Sequence, residues 1–188
     1  MKRFWPFVLA PVLAATLFAA SPLQNPAESA GGAGLRFPRL AATNLERRSM
    51  NLPQDFGGSR NLLLIAFQRH QQKEVDTWLA QTKQFESLDP ALRCYELPTL
   101  GRLNQLTRWF IDNGMRGGIS SFQQREHTIT LYVEKGPFRL ALGIPDENRI
   151  YALLIDRDGN ILWRAEGSFD EVKSSSLKKA LQRFSHVP

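Results

Sequence analysis

Five short runs of apolar and β-branched residues predict the strands of a sheet. They cover residues 61–67, 91–97, 127–133, 150–155 and 161–165. The first run is apolar without interruption, which is typical of a strand buried on both faces. The second ends at Pro98, and the third alternates strictly between apolar and polar positions. The last two flank Asp158 and Gly159, a pair that suits a tight turn, and they therefore predict a β-hairpin.

Apolar residues three and four positions apart predict three helices. The first covers residues 71–85. The second begins near Leu100 and is expected to end at 113–114, because asparagine and glycine tolerate the left-handed conformation of a helix end. The third opens with a capping box, in which the Ser168 side chain accepts from the Glu171 amide and the Glu171 side chain reaches back.

The order of these elements predicts the fold class. Strand, helix, strand, helix, strand, hairpin and helix specify an α/β protein, a three-layer sandwich with a mixed central sheet, a C-terminal β-hairpin and a closing helix. Residues 114–119 are rich in glycine but lack the strand, glycine and lysine order of a phosphate-binding loop. We interpret them as a flexible connection in which Arg116 is available for a contact.

The N-terminal region predicts export. Two basic residues precede the apolar residues 4–20, so residues 1–21 are expected to form a signal peptide or a signal anchor. A retained leader would associate the protein with a membrane through residues 4–20, and the expected location is the bacterial periplasm. Residues 22–41 are rich in proline, glycine, alanine and serine and predict a flexible linker, which leaves 42–188 as the folded domain.

Composition and charge are those of an ordinary globular chain. The 188 residues are 43% hydrophobic and 22% charged, and the formal net charge is +6. The arginines are scattered along the chain and are not concentrated on one predicted helix, so we do not expect nucleic-acid binding. We interpret the excess of basic residues as solvated surface charge, which would have some attraction to anionic lipid headgroups.

The order of elements, together with residues 154–161, resembles the thioredoxin-like superfamily, in particular its exported thiol-disulfide and peroxiredoxin-like branches. In active members of that superfamily a Cys-x-x-Cys pair opens the first helix, where the helix N-terminus lowers a thiol pKa. Here the equivalent positions are Gln68 and Gln71, and the position of the usual cis-proline falls near Ile150. The resemblance therefore implies a thioredoxin-like domain that lacks the redox cysteines.

A narrower resemblance is to the ATP synthase assembly factor family first known from mitochondria. Its pattern is similar to that of residues 62–68, 75–78, 95–98 and 114–119. This resemblance implies a redox-inactive, membrane-associated chaperone whose protein partner is a subunit of a membrane complex. On this interpretation the protein is not an enzyme and needs no cofactor.

One candidate partner contact is the loop at the former active site. It consists of Gln68, Arg69, His70 and Gln71. These side chains are expected at a helix N-terminus, where they form either a polar partner site or a solvated helix cap.

The single cysteine, Cys94, is the candidate for an alternative, enzymatic function. It lies in a predicted strand, where a lone cysteine is usually buried and inert. The alternative is a thiol-dependent peroxidase or oxidoreductase-like enzyme that uses Cys94. His70, His127 and His186 have no partner at metal-ligand spacing, so we expect no metal site.

Overall fold

A computed structural model describes residues 34–184 of the protein. The predicted leader 1–21, the linker as far as residue 33, and His186 lie outside these described residues. The strands are β1 (Leu40–Asn44), β2 (Ser49–Leu52), β3 (Arg60–Ala66), β4 (Leu92–Leu100), β5 (Ile129–Tyr132), β6 (Tyr151–Asp156) and β7 (Ile161–Glu166). The helices are α1 (Gln72–Leu79), α2 (Thr82–Leu88), α3 (Gln105–Gly118), α4 (Phe122–Glu126), α5 (Lys135–Ala141) and α6 (Glu171–Phe184), and a 3-10 turn at Arg69–Gln71 precedes α1.

The strands form one mixed sheet in the order β2-β1-β5-β4-β3-β6-β7. The central strand β3 is parallel to β4 and antiparallel to β6. Strands β6 and β7 form the predicted hairpin, and Gly159 in its turn has a φ of +85°, which glycine adopts without steric cost. The predicted α/β class with a mixed sheet, a C-terminal hairpin and a closing helix is confirmed.

The two faces of the sheet carry two separate hydrophobic clusters. In β3, Leu63 and Ile65 belong to the cluster on one face, and Leu62 and Leu64 belong to the cluster on the other. All four side chains are fully buried, which confirms the prediction from the uninterrupted apolar run. The second cluster also includes buried side chains from α1, α2 and α6, so the helices cover this face of the sheet.

The single helix predicted over 71–85 is wrong, because the chain forms a 3-10 turn and two short helices there. Between α1 and α2 the amide of Gln81 donates to the carbonyl oxygen of Trp78 at 2.9 Å. The hydroxyl of Thr82 donates to the carbonyl oxygen of Leu79 at 2.9 Å. These local bonds satisfy the last turn of α1 and allow the chain to change direction before α2.

The predicted end of the second strand at Pro98 is also wrong, since β4 continues to Leu100. Pro98 lies opposite Ala66, the last residue of β3, where one missing amide donor removes little of the ladder. Beyond this point β4 pairs with β5, and Thr99 lies opposite Leu131. Pairing with β5 therefore extends β4 beyond Pro98.

Helix α3 does not stop at residues 113–114 as predicted but runs to Gly118. None of its three glycines has a positive φ value, so none of them forms the left-handed helix cap that the sequence predicted. The Arg116 side chain donates to the Leu45 carbonyl oxygen at 2.8 Å and forms an ion pair with Glu46 at 3.1 Å. Residues 114–118 are therefore helical, and Arg116 is engaged within the domain.

The last helix also begins differently from the prediction. Asp170 caps α6, because its side chain accepts from the Lys173 amide at 2.8 Å and its carbonyl oxygen accepts from the Ser174 amide at 2.9 Å. Hydrogen bonds from the Lys173 amide and the Lys173 side chain lower the pKa of Asp170. The capping box predicted at Ser168 and Glu171 is replaced by a single aspartate cap.

The fold includes residues that the sequence assigns to the linker. Phe37 is buried, its amide donates to the Gly159 carbonyl oxygen at 2.8 Å, and its ring packs edge-on against Phe56 and Phe138. Strand β1 begins at Leu40 and forms an antiparallel pair with β2. This N-terminal hairpin extends the sheet and was not predicted, and neither were the short helices α4 and α5.

Candidate functional site

The candidate site lies at the end of β3, where the chain enters the 3-10 turn and α1. Gln68, Arg69 and His70 are exposed there, whereas Gln71 is fully buried. The loop 145–150, which leads into β6, lies against this turn. The site therefore combines the start of the first helix with the loop that precedes the hairpin.

Both glutamines bind the same backbone carbonyl. The Nε2 atom of Gln71 donates to the Glu147 carbonyl oxygen at 2.7 Å, and the Nε2 atom of Gln68 donates to it at 2.9 Å. The Oε1 atom of Gln71 accepts from the amides of Phe67 and Gln68 at 2.8 and 3.1 Å. Gln71 thus joins the end of β3 to the loop before β6.

The side chain of Glu147 joins the same loop to α5. Its Oε2 atom lies 2.8 Å from the Lys135 ammonium group, and its Oε1 atom lies 3.5 Å from Arg139. The Arg139 guanidinium also donates to the Pro145 carbonyl oxygen. The ammonium group of Lys135 lies 5.8 Å from the centre of the Phe67 ring. The loop is therefore held from two sides, by amides and by cations.

The two glutamines are held in this arrangement by hydrogen bonds, and the arrangement contains no thiol. An amide has no proton to lose near neutral pH, so neither glutamine supplies the thiolate that disulfide exchange requires. Among the described residues the one cis peptide bond is Leu52–Pro53, so a cis-proline does not precede β6. Gln68, Arg69 and His70 keep their side chains exposed to solvent beside this arrangement.

Replacing Gln71 with alanine is expected to lower the free energy of unfolding by about 2–3 kcal/mol. The change leaves the Phe67 and Gln68 amides without their acceptor, and the Glu147 carbonyl keeps only its bond from Gln68. A buried unsatisfied group costs about 1–3 kcal/mol. Urea unfolding measures the difference. The matched control is Gln68→Ala. The exposed Gln68 side chain donates only to the Glu147 carbonyl oxygen among these groups, so its removal should cost less than about 1 kcal/mol. Equal losses in the two variants would contradict the anchoring role of Gln71.

Cys94, the other candidate, lies in β4 as predicted and is buried. It pairs with Leu62, four residues before the end of β3, so it lies about 13 Å along the strands from the candidate site. Its backbone amide donates to Glu86 at 3.3 Å. Burial raises the pKa of the Cys94 thiol well above its usual range, and the nearby Glu86 carboxylate raises it further.

Cys94 lines a cavity of about 300 Å³ together with Glu86, Glu96 and His127. Burial raises the pKa of Glu96 and lowers the pKa of His127, so the cavity favours the neutral form of each group. A neighbouring cation favours a thiolate, and Arg93 lowers the pKa of Cys94, but its effect is smaller than the opposite effects of burial and Glu86. Within residues 34–184, no three His, Cys, Asp or Glu side chains come together as a metal-ligand set.

The structure brings Gln68 and Gln71 together and leaves Arg69 and His70 exposed beside them. Sequence analysis missed the other half of the site, which consists of Lys135, Arg139 and Glu147. No signal along the chain marks these three residues, because they meet only when α5 and the loop before β6 fold against the end of β3.

In the part of the chain that the structure describes, every helix is too short or too polar to cross a membrane.

Comparison with known proteins identifies the fold. No protein-family model matches the sequence, and no curated protein matches it either. Solved structures do match, although their sequences are less than 25% identical to this one, so the likeness shows the fold alone. The comparison, like the sheet order, shows that the chain has a thioredoxin-like fold.

Three similar structures illustrate this likeness. The pneumococcal exposed lipoprotein thioredoxin Etrx1 of Streptococcus pneumoniae has a TM-score of 0.52 and 11% identity, over 78% of this chain and 100% of that one. BsSco, a member of the Sco family of cytochrome c oxidase assembly proteins, has a TM-score of 0.52 and 12% identity, over 80% and 95%. A proposed electron transfer protein from Aquifex aeolicus has a TM-score of 0.55 and 9% identity, over 80% and 97%.

Proposed function

We propose that the protein is a redox-inactive thioredoxin-like binding module that assists the assembly of a membrane protein complex, as the ATP synthase assembly factors do. The observation that carries this proposal is the pair of glutamines at the positions of the redox cysteines. Gln68 and Gln71 both bind the Glu147 carbonyl oxygen, so the loop is ordered by amides where an active relative would carry thiols. On this proposal the protein is not an enzyme.

Two further observations support the assembly role. The same fold occurs in BsSco, which belongs to a family of assembly proteins for cytochrome c oxidase. The apolar residues 4–20 of the sequence predict export or anchoring, which would bring the domain to the membrane where such complexes are built. The proposed location is therefore the periplasm, either free or tethered to the inner membrane.

Affinity capture from detergent-solubilised membranes tests the proposal. The full-length protein is expected to recover one reproducible membrane-complex subunit, and the variant Arg69→Ala/His70→Ala is expected to recover much less of it. The matched control is Arg157→Ala/Asp158→Ala, which changes two exposed residues in the hairpin turn at the opposite end of β6. Failure to recover any reproducible subunit would overturn the assembly role. Equal recovery by the loop variant would exclude this loop as the contact.

Replacing Cys94 with serine is expected to leave peroxide consumption unchanged, at the rate of a sample without protein. Peroxidase chemistry needs a thiolate, and the buried Cys94 thiol lies beside a carboxylate that opposes its ionisation. Peroxide consumption and insulin disulfide reduction are measured for the wild type and for Cys94→Ser. A rate in the wild type that disappears in Cys94→Ser would establish the enzymatic alternative instead.

A further inference from the structure

Helix α3 is oriented with its apolar side toward the solvent. The fractional exposures of Leu106, Trp109 and Phe110 are 67%, 55% and 63%, and the helix has no buried residue along its whole length. Leu103, just before the helix, is exposed as well. The rings of Trp109 and Phe110 contact each other edge-on with centroids 5.0 Å apart, so they form a small aromatic cluster on the outside.

The polar side of α3 faces the rest of the domain. The Tyr132 hydroxyl in β5 donates to Asp112 at 2.8 Å, and the Arg108 guanidinium lies 4.7 Å from the centre of the Tyr132 ring. Arg116 is bound to Leu45 and Glu46 as described above. A cavity of about 230 Å³, lined in part by Arg108 and Asp112, separates the helix from the sheet. The hydrogen bonds and ion pairs between helix and domain are made from this side of α3, on which Ile111 and Met115 are half-buried.

This orientation is the reverse of that of a surface helix in a soluble domain, which turns its apolar stripe toward the core. None of the apolar side chains of α3, including the half-buried Ile111 and Met115, belongs to the two hydrophobic clusters of the fold. Exposed apolar patches bordered by polar groups mark contacts with a protein or a membrane. Something outside the domain is therefore expected to cover Leu106, Trp109 and Phe110.

The charges around α3 indicate whether a protein or a membrane covers it. The segment 101–126, which includes α3 and α4, contains four arginines, at positions 102, 108, 116 and 125, and two acidic residues, Asp112 and Glu126. The charged side chains that bond to this segment are Arg47, Glu46 and Glu134. Five cations against four anions leave a local net charge of +1. A partner with an anionic surface and an apolar interior satisfies both the charge and the aromatic cluster.

We propose that α3 lies flat on an anionic lipid bilayer, with Leu106, Trp109 and Phe110 inserted at the boundary between headgroups and acyl chains. Helices that bind in this way carry tryptophan, phenylalanine and leucine on the inserted side and basic residues near the headgroups. Indole and phenyl rings are favoured at this depth of a membrane. The proposal goes beyond the proposed assembly function and does not depend on it, because a lipid contact needs no protein partner.

Quenching of Trp109 by brominated lipids tests the proposal in the full-length chain. The background variant is Trp5→Phe, which removes the tryptophan of the predicted leader and leaves three tryptophans. Trp78 and Trp163 are buried, so Trp109 is the exposed indole. With phosphatidylglycerol vesicles that carry bromine on their acyl chains, we expect tryptophan emission to fall by about a third, since one indole of three reaches the acyl chains. The additional change Trp109→Phe should abolish this quenching.

Two paired variants locate the contact. Leu106→Ser/Phe110→Ser should reduce the quenching to less than about a third of its amplitude, because two inserted apolar side chains are removed. Leu140→Ser/Val172→Ser, which changes equally exposed residues on α5 and α6, should leave it unchanged. Raising the salt concentration from about 0.1 M to about 1 M should weaken the quenching, because the Debye length falls from about 10 Å to about 3 Å.

Several outcomes would overturn the proposal. The first is unquenched Trp109 in the presence of vesicles that the protein binds. The second is equal quenching by brominated phosphatidylcholine, which would remove the role of the anionic surface. The third is a dimer in sedimentation analysis that is lost in Leu106→Ser/Phe110→Ser, which would show that a second copy covers α3. Recovery of a membrane-complex subunit in the capture experiment is read separately, so the failure of either proposal leaves the other intact.

Discussion

Replacing Asp89 with alanine is expected to lower the free energy of unfolding by about 3–5 kcal/mol, the usual cost of breaking a buried ion pair. Asp89 accepts two hydrogen bonds from the Arg60 guanidinium, at 2.5 and 2.7 Å, and both side chains are almost completely shielded from solvent. It also accepts from the Ala91 amide at 3.0 Å. The substitution therefore leaves the Arg60 charge buried without its counterion. Urea unfolding measures the loss.

The matched control for Asp89→Ala is Glu134→Ala. Glu134 pairs with Arg102 at 3.3 Å, but the two side chains are 59% and 71% exposed, so its removal should cost about 0–1 kcal/mol. A loss in Asp89→Ala that is no larger than this would show that the Arg60 pair does not stabilise the domain. Such a result would contradict the buried geometry described here.

The Asp89 pair also predicts a dependence on pH. Its hydrogen bonds to Arg60 lower the pKa of Asp89 in the folded protein below the value of about 3.9 for an unfolded chain. The stabilising contribution is therefore fully present above the unfolded pKa and is lost as the pH falls through the folded pKa. The stability difference between wild type and Asp89→Asn should accordingly disappear in acid, as a series of unfolding curves would show.

Replacing Trp78 with alanine is expected to cost about 3–5 kcal/mol, because it removes the largest fully buried side chain and leaves a cavity. The indole packs edge-on against Trp163 and Phe169, with centroids 6.1 and 5.1 Å away. Its Nε1 atom donates to the Gly167 carbonyl oxygen at 2.9 Å. Trp78 therefore joins α1 to β7 and to the segment that leads into α6. Thermal or urea unfolding would measure the effect.

The variant Trp78→Phe separates packing from hydrogen bonding. It keeps an aromatic ring in the cluster and loses the bond to the Gly167 carbonyl, so its cost should be distinctly smaller than that of Trp78→Ala. Equal destabilisation by the two variants would show that the hydrogen bond, rather than the buried ring, holds α1 against the hairpin.

Sequence patterns predicted the elements that are buried in the sheet and missed those whose structure depends on distant contacts. The apolar run at 61–67 was sufficient to predict β3, because both faces of this strand are buried and neither face requires polar residues at alternate positions. The prediction of a helix end at Asn113 failed because Arg116 finds its partners at Leu45 and Glu46, more than 60 positions earlier in the chain. Local glycine content carries no information about such contacts.

The candidate site was predicted in part for the same reason. Gln68 and Gln71 were found because their positions follow a recognisable buried strand. Their common acceptor, the Glu147 carbonyl, belongs to a loop whose pairing with α5 has no sequence signature. The reversed orientation of α3 was also missed, because apolar spacing identifies an amphipathic helix but not which of its sides meets the domain.

The contacts of the two glutamines have a consequence for the environments in which the loop keeps its shape. A disulfide in this position would open and close with the redox potential of the compartment, and BsSco is described as containing a disulfide switch. Hydrogen bonds from Gln68 and Gln71 to one carbonyl accept and release no electrons. If the loop binds a partner as proposed, we expect it to present the same surface under oxidising and reducing conditions, so that the partner encounters a constant shape rather than a signal.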